Sequence, residues 1–451
     1  MRQPWRSGRA GLAACTVAVG LTAALLVPPL AAADGGPVPP APAPSVLPAI
    51  NVAVSTAPAP TAAGISAVVT PLLNKRLGQE SVVVIDPATS TVLFERDAAT
   101  PRVPASTLKL ATSAAALNVL GPQTRIPTVV YRNGATLYLV GGGDPTLVRA
   151  KGGDPLAGGS ASLKALAKAA TKTLTTGKTL KLVYDDSAFT GPVLGPGWPK
   201  GFPSAGVVAP VTALVVNGGR ARPGSLTRVQ DPARQAADAF AGFLRAQGLT
   251  ISSVKSGSKD AAATELARVE SPPVGDIVQR MLTESENNFA EALAHLVGGK
   301  LLGNPSFAGG AAATVRTLSD MGIATTSVSI VDGSGLSLQD RVPVQVLADV
   351  LSDTALGTDP DLASIPPGLA VAGLTGTLAD RYTTLQTLAG RGVVHAKTGT
   401  LTGVVSLIGT VQDAQGRVLV FGIISNKVPS IPHARETMDR IASRLATCGC
   451  Q

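Results

Sequence analysis

The chain is 451 residues long, 15% charged and 3% aromatic, and carries a formal net charge of +9 with three histidines and three cysteines. Few aromatics and no nucleic-acid motif exclude nucleic acid as the reason for the basic balance, which suits anionic wall polymers, lipid headgroups or plain solubility. So few cysteines cannot staple a chain of this size, and no Cys/His cluster or cofactor motif is present; a large hydrophobic core must hold the fold, and the chemistry needs neither metal nor cofactor.

Arg2, Arg6 and Arg9 precede an apolar stretch from Gly11 to about Leu30, and Ala31-Ala32-Ala33 supplies the small residues of a signal-peptidase site. Residues 1–33 therefore read as an export signal, cleaved after Ala33 or retained as a bilayer span. Leu12-Ala13-Ala14-Cys15 imitates a lipoprotein attachment site but lies before the apolar run instead of after it. Loss of the three arginines, with Asp34 near the cut, takes the charge from +9 to about +7. Residues 34–63 are Pro- and Ala-rich with almost no charge, an extended linker. The folded part starts near Gly64, with a helix over Ile65–Leu77 interrupted at Pro71 and a hairpin of Ser81–Asp86 and Thr91–Glu95.

Next comes Ser106-Thr107-Leu108-Lys109, opening a run to Leu117 that is rich in Ala and Leu and nearly free of charge, the pattern of a buried helix with Ser106 at its start. Three residues apart on a helix, Lys109 reaches the Ser106 hydroxyl, and a buried Lys can lose its proton near neutral pH and activate that serine. Taken alone, Ser106 is as well explained by a helix cap and Lys109 by a surface side chain. Ser252 with Lys255 and Ser256 with Lys259 have the same spacing, but no apolar run follows them.

Roughly 175 residues then separate Lys109 from Ser285. That surplus predicts an inserted domain at 142–268, with helices at Ala161–Leu174 and Pro232–Gln247. Gly141–Gly143 lacks the Lys-Ser/Thr pair of a phosphate loop. Ser285-Glu286-Asn287 follows, where a serine can relay a proton and an amide can donate and accept; alone it would pass for a helix cap. Strands are expected over 393–399, 403–412 and 417–425. The first ends in Lys397-Thr398-Gly399-Thr400, where a cation and two hydroxyls can hold a carboxylate and Gly399 admits a close backbone approach. Amides of Ser106 and Thr400 could form an oxyanion hole. His295, His395 and His433 are scattered, which disfavours a Ser-His-Asp hydrolase. Cys448 and Cys450 can pair only locally or between molecules.

Three motifs in this order match the signature of penicillin-recognising serine acyl-enzymes. With Leu137–Leu147, Tyr184–Phe189, Asp332–Ser337 and Ala372–Leu378, the chain after about residue 65 resembles the penicillin-binding protein 4 family of D-alanyl-D-alanine carboxypeptidases/endopeptidases, peptidase family S13. The resemblance implies an α/β penicillin-binding/β-lactamase-like serine transpeptidase fold, helices packed on an antiparallel sheet, divided as 64–141 and 269–451 around the insert. It implies Ser106 as acylated nucleophile, Lys109 as base, Ser285 as proton relay and Asn287 as ligand of the substrate amide. Lys397, Thr398 and Thr400 would hold the terminal carboxylate, with Gly399 beside them as a substrate-binding position, and Asp144, Ser334 and Leu336 would line the donor side. Leu338 stands where several relatives place an Arg that reads a diaminopimelate carboxylate; Arg341, three residues on, is the nearby candidate to replace it. Peptidoglycan stem peptides are the implied substrate, β-lactams covalent inhibitors, the outer side of a bacterial membrane or its wall the location, and membrane or wall polymers a peripheral contact. The rival readings are a β-lactamase or esterase, which needs an efficient deacylating base, and a wall-binding protein with an idle site.

Overall fold

The structure, a computed structural model, describes residues 57–450 apart from 151–160, 175–176, 178, 223–224, 356 and 358. The expected export signal, and the linker except for its last seven residues, 57–63, lie outside the described residues. Helix α1 (Ala62–Val69) is capped by the Thr61 side chain and gives way to two 3-10 turns, Thr70–Leu72, which contains Pro71, and Lys75–Leu77. Strands β1 (Gln79–Asp86) and β2 (Thr91–Arg96) form the expected hairpin. A 3-10 turn, Ala105–Leu108, leads into α2 (Lys109–Leu120). Then come β3 (Pro127–Asn133), β4 (Thr136–Gly141), α3 (Leu163–Thr171), β5 (Thr179–Asp185), α4 (Pro232–Ala246), β6 (Thr250–Ser256) and β7 (Thr264–Glu270). The chain continues through α5 (Val274–Glu284), α6 (Asn287–Leu302), α7 (Phe307–Asp320), α8 (Val344–Ala355), the short α9 (Ile365–Gly368) and β8 (Ala370–Val371). It ends in β9 (Val394–Leu401), β10 (Val404–Gln412), β11 (Val418–Asn426) and α10 (Ile431–Ala446).

Six of these strands form one antiparallel sheet in the order β2-β1-β11-β10-β9-β8, so the first and last long strands are neighbours, with Val84 opposite Phe421. Successive side chains of a strand point to opposite faces. Val82 and Val84 join Phe421, Ile423 and Leu407 against α1 and α10, while Val83 and Ile85 join Val420, Ile424 and Ile408 against α2 and α8. Both faces are covered, which is why β1 reads as an unbroken Val-Val-Val-Ile run instead of an alternation. Helix α2 is buried all round from Lys109 to Leu117, and its Ala111, Ala114, Ala115 and Ala116 let α5, α6 and α7 pack close.

A second sheet has the order β6-β5-β4-β3-β7, parallel at β4/β5 and β5/β6 and backed by α3 and α4. It begins at Pro127, ahead of the predicted boundary at 142, because β3 and β4 pair with β7 and β5 and not with the six-stranded sheet. The alternating pattern of β4 would suit either sheet, and only the pairing partner decides. Near the C-terminus Cys448 and Cys450 are joined as a local disulfide.

The end of β1 is tied to the start of β11 by Asp86 and Arg417. Arg417 donates from Nε and NH2 to the two Asp86 oxygens at 3.2 and 2.6 Å, and NH1 reaches the Ala57 carbonyl at 3.1 Å. The two side chains are 1% and 8% exposed. Breaking a buried pair strands the remaining charge, so Arg417→Ala is expected to lower the unfolding free energy by about 3–5 kcal/mol. Urea titrations of parent and variant measure it; coincident midpoints would show that the pair contributes nothing.

Candidate active site

The turn that presents Ser106 is shaped from behind. Ala105 has φ +50°, a conformation that is unfavourable for an L-residue by roughly 1–2 kcal/mol. Packing enforces it: a Cβ on Gly399 would meet Pro104 O at 2.9 Å and Ala105 Cβ at 3.1 Å, and one on Gly335 would overlap the Ala105 carbonyl. The side of Gly399 that a Cβ would occupy is filled by the chain's own Ser406, Pro104 and Ala105, so the missing side chain also brings β9 against the serine turn. Thr107 Oγ1 and Ser406 Oγ both donate to Pro104 O at 2.7 Å and close the turn. Ser106 is left half-buried in front of buried Thr107, Leu108 and Lys109.

Lys109 joins all of this together. Its Nζ donates to Ser106 Oγ at 2.9 Å, Asn287 Oδ1 at 2.8 Å and Ser334 O at 2.8 Å. Complete burial pulls its pKa from 10.5 down to about 8, against the upward pull of Glu291, Asp332 and Glu286. The second lysine makes a matching pair: Lys397 Nζ donates to Ser285 Oγ at 2.9 Å and to Thr398 O at 2.8 Å. Burial, and then the Lys109 cation, hold Lys397 well below the ordinary lysine range. Ser285 sits at φ +59°, a left-handed break between α5 and α6 that turns its hydroxyl toward Lys397 while Asn287 opens the next helix.

The segment inserted between the first two motifs forms part of the wall. Asn287 Nδ2 donates to Val207 O at 2.8 Å, and Asn288 exchanges bonds with Ala209 N and O, both at 3.0 Å. Glu286 points away from the serines to Arg220, 3.2 Å off. Trp198 Nε1 donates to Asp332 Oδ2 at 2.7 Å. On β9, Thr398 Oγ1 donates to Thr377 Oγ1 at 2.7 Å, and Thr400 Oγ1 accepts from Arg435 at 2.9 Å.

The structure thus gathers Ser106, Lys109, Ser285, Asn287, Lys397, Thr398, Gly399 and Thr400. The remaining three predicted residues are placed differently. Ser334 contributes its carbonyl, while its side chain is buried. Leu336 packs among Trp198, Val208, Val211 and Phe307. Asp144, 2% exposed and raised to about 6 by burial, accepts from Thr146 N and Oγ1 at 2.8 and 2.7 Å. Leu338 is 51% exposed, and Arg341 NH1 donates to the Leu338 and Asp340 carbonyls. Sequence reasoning missed Thr377, Arg435, Trp198, Asp332 and Glu291. Asp332 and Thr377 lie in stretches already singled out by resemblance, and Glu291 carried a local signal as a lone acid inside the apolar run Phe289-Ala290-Glu291-Ala292-Leu293.

The family model of the D-Ala-D-Ala carboxypeptidase 3 (S13) family matches residues 66–226 and 221–447. A carboxypeptidase DacB of Mycolicibacterium smegmatis is 36% identical over 425 residues, covering 92% of this chain and 90% of the relative. A D-alanyl-D-alanine carboxypeptidase of Actinomadura is 29% identical over 81% of this chain and 80% of its own. Among solved structures, penicillin-binding protein 4 from Haemophilus influenzae superposes with a TM-score of 0.73 at 22% identity, covering 85% of this chain and 99% of that one. The last match shows a shared fold, helices on an antiparallel sheet with a further sheet between the motifs.

Proposed function

Because the chain belongs to the D-Ala-D-Ala carboxypeptidase 3 (S13) family, we propose that it is a serine-type D-Ala-D-Ala carboxypeptidase, with D,D-endopeptidase action on the same bond type, acting on peptidoglycan stem peptides. The observation that supports the mechanism best is the single Lys109 nitrogen bonded at once to Ser106, Asn287 and the Ser334 carbonyl.

Ser106 Oγ attacks the carbonyl carbon of the penultimate D-alanine while its proton passes to neutral Lys109. The oxyanion that forms is met by the amides of Ser106 and Thr400. Ser285, backed by Lys397, delivers a proton to the leaving nitrogen; the C–N bond breaks, D-alanine departs and an ester remains on Ser106. Water then releases the shortened peptide. Asn287 holds the substrate amide, and Thr398 and Thr400 meet the terminal carboxylate in the field of Lys397. A β-lactam enters the same sequence, but its ring nitrogen stays tethered, so the ester persists. Export across the membrane is part of the reading and is supported by Arg2, Arg6, Arg9 and the apolar run that follows.

The test is an intact-mass time course of the protein with benzylpenicillin, with the adduct mapped by peptide digestion. A lasting adduct on the Ser106 peptide is expected, forming faster as pH rises through about 8, because the base must be neutral and Lys109 loses its proton there. Rapid loss of the adduct with penicillin hydrolysis would make the protein a β-lactamase. No adduct and no D-alanine release would leave a wall-binding protein.

A further inference from the structure

We propose that Glu291 is a positioning residue for the attack by Ser106, aiming the Lys109 amine through the carbonyl of Ser334. The inference rests on Lys109 as the base. An ammonium has three N–H bonds, and Lys109 has three acceptors in Ser106 Oγ, Asn287 Oδ1 and Ser334 O. A neutral amine keeps two N–H bonds and one lone pair. With Asn287 and Ser334 holding the two N–H bonds, the lone pair faces Ser106 Oγ, as proton abstraction requires. If the Ser334 carbonyl swung away, the amine could turn an N–H toward Ser106 and the lone pair would miss.

Glu291 fixes the two peptide units that lead into that carbonyl, and Asp332 holds the carbonyl's own unit through the Gly335 N–H. Fully buried, it accepts the Ser334 N–H on Oε1 at 2.8 Å and the Gly333 N–H across Oε1 and Oε2 at 3.2 and 3.0 Å. Thr112 Oγ1 holds the Gly333 carbonyl from the other side at 2.6 Å, and Asp332 takes the next amide, Gly335 N–H, at 2.7 Å. Glu291 stands one helical turn beyond Asn287, so one face of α6 sets both anchors of the amine. The charged groups around Lys109 are Glu291 on α6, Glu286 just before it, Asp332 in the loop and Lys397 on β9, with Asp340 lying against Asp332 and Glu291. Among the acids Glu291, when ionised, has the largest upward pull on Lys109, and burial followed by the Asp332 charge raises its own carboxyl to about 8, so the two groups titrate in one window. Its neutralisation therefore acts twice, loosening the anchor and making Lys109 easier to deprotonate.

The experiment is the pH profile of benzylpenicillin acylation for wild type, Glu291→Gln and Glu291→Asp, with a thermal melt of each. Glu291→Gln is expected to lower the high-pH plateau on the order of 10- to 100-fold and to move the acid limb to lower pH. Glu291→Asp, which keeps a titratable carboxyl on a shorter arm, is expected to keep the limb and give an intermediate plateau. A Gln variant with the parent's limb and plateau, or a loss that tracks unfolding with the limb unmoved, would overturn the proposal. Should the Gln variant not fold, the Asp variant decides, since a parent-like plateau there is equally fatal. The wild-type profile separates the two readings: without wild-type acylation the serine-peptidase reading itself falls.

Discussion

A Ser106→Ala protein is expected to fold as the parent does, to gain no penicillin mass, and to release D-alanine from a D-Ala-D-Ala peptide at no more than about 10⁻⁴ of the parent rate. The fold should tolerate the change because Ser106 is half-buried and its hydroxyl accepts from Lys109, which keeps its bonds to Asn287 and Ser334. The loss of rate should be nearly complete because nucleophile, base and relay act as one unit, and what survives is binding and the oxyanion amides. Intact mass and D-alanine release measure the two effects separately. A persistent adduct on the variant would move the nucleophile to another serine.

Lys109→Met is the second large effect, expected to slow acylation by about 10²- to 10⁴-fold at pH 8 while leaving the melting temperature close to the parent's. Two terms oppose each other in the fold. Holding Lys109 charged in its buried site, with a pKa lowered from 10.5 to about 8, corresponds to roughly 3 kcal/mol of penalty that Met does not carry. Against this, Asn287 Oδ1 and Ser334 O lose a donor, at about 1–3 kcal/mol each. The terms are of one size, so stability changes little while the base is gone. Acylation at the parent's rate would show that another group, with Lys397 the obvious candidate, takes the serine's proton.

The parts of the site that were legible in the sequence are those that repeat a chemical pattern along the chain. Ser106 and Lys109 lie a helical turn apart, Ser285 and Asn287 flank a helix break, and Lys397 to Thr400 occupy consecutive strand positions. The sheet was legible for the same reason, since its strands carry Val and Ile in runs bounded by turns. What escaped was set by tertiary neighbours. Glu291 acquires its role from two amides more than forty residues downstream, and Trp198 from an aspartate that local pattern cannot connect to it. At Gly399 the missing side chain marks a close approach, but does not tell that Ser406, Pro104 and Ala105 stand on that side. The insert began earlier than predicted because β4 alternates as a strand of either sheet would.

The pairing of β1 with β11 also governs when this protein first becomes an enzyme. Val84 meets Phe421 only after nearly the whole chain has been made, and Lys397 and Ser106 come together across a comparable distance in sequence. Contacts so remote form late, because the loop between them must be closed before they return any stabilisation. The five-stranded sheet, by contrast, is complete by Glu270 and has its own apolar interior. During synthesis this segment can gather before Ser285 and Lys397, which follow Glu270 in the chain, can join Ser106 and Lys109. An unfinished chain is therefore chemically silent, and reactivity toward a strained lactam marks completion of the C-terminal strands.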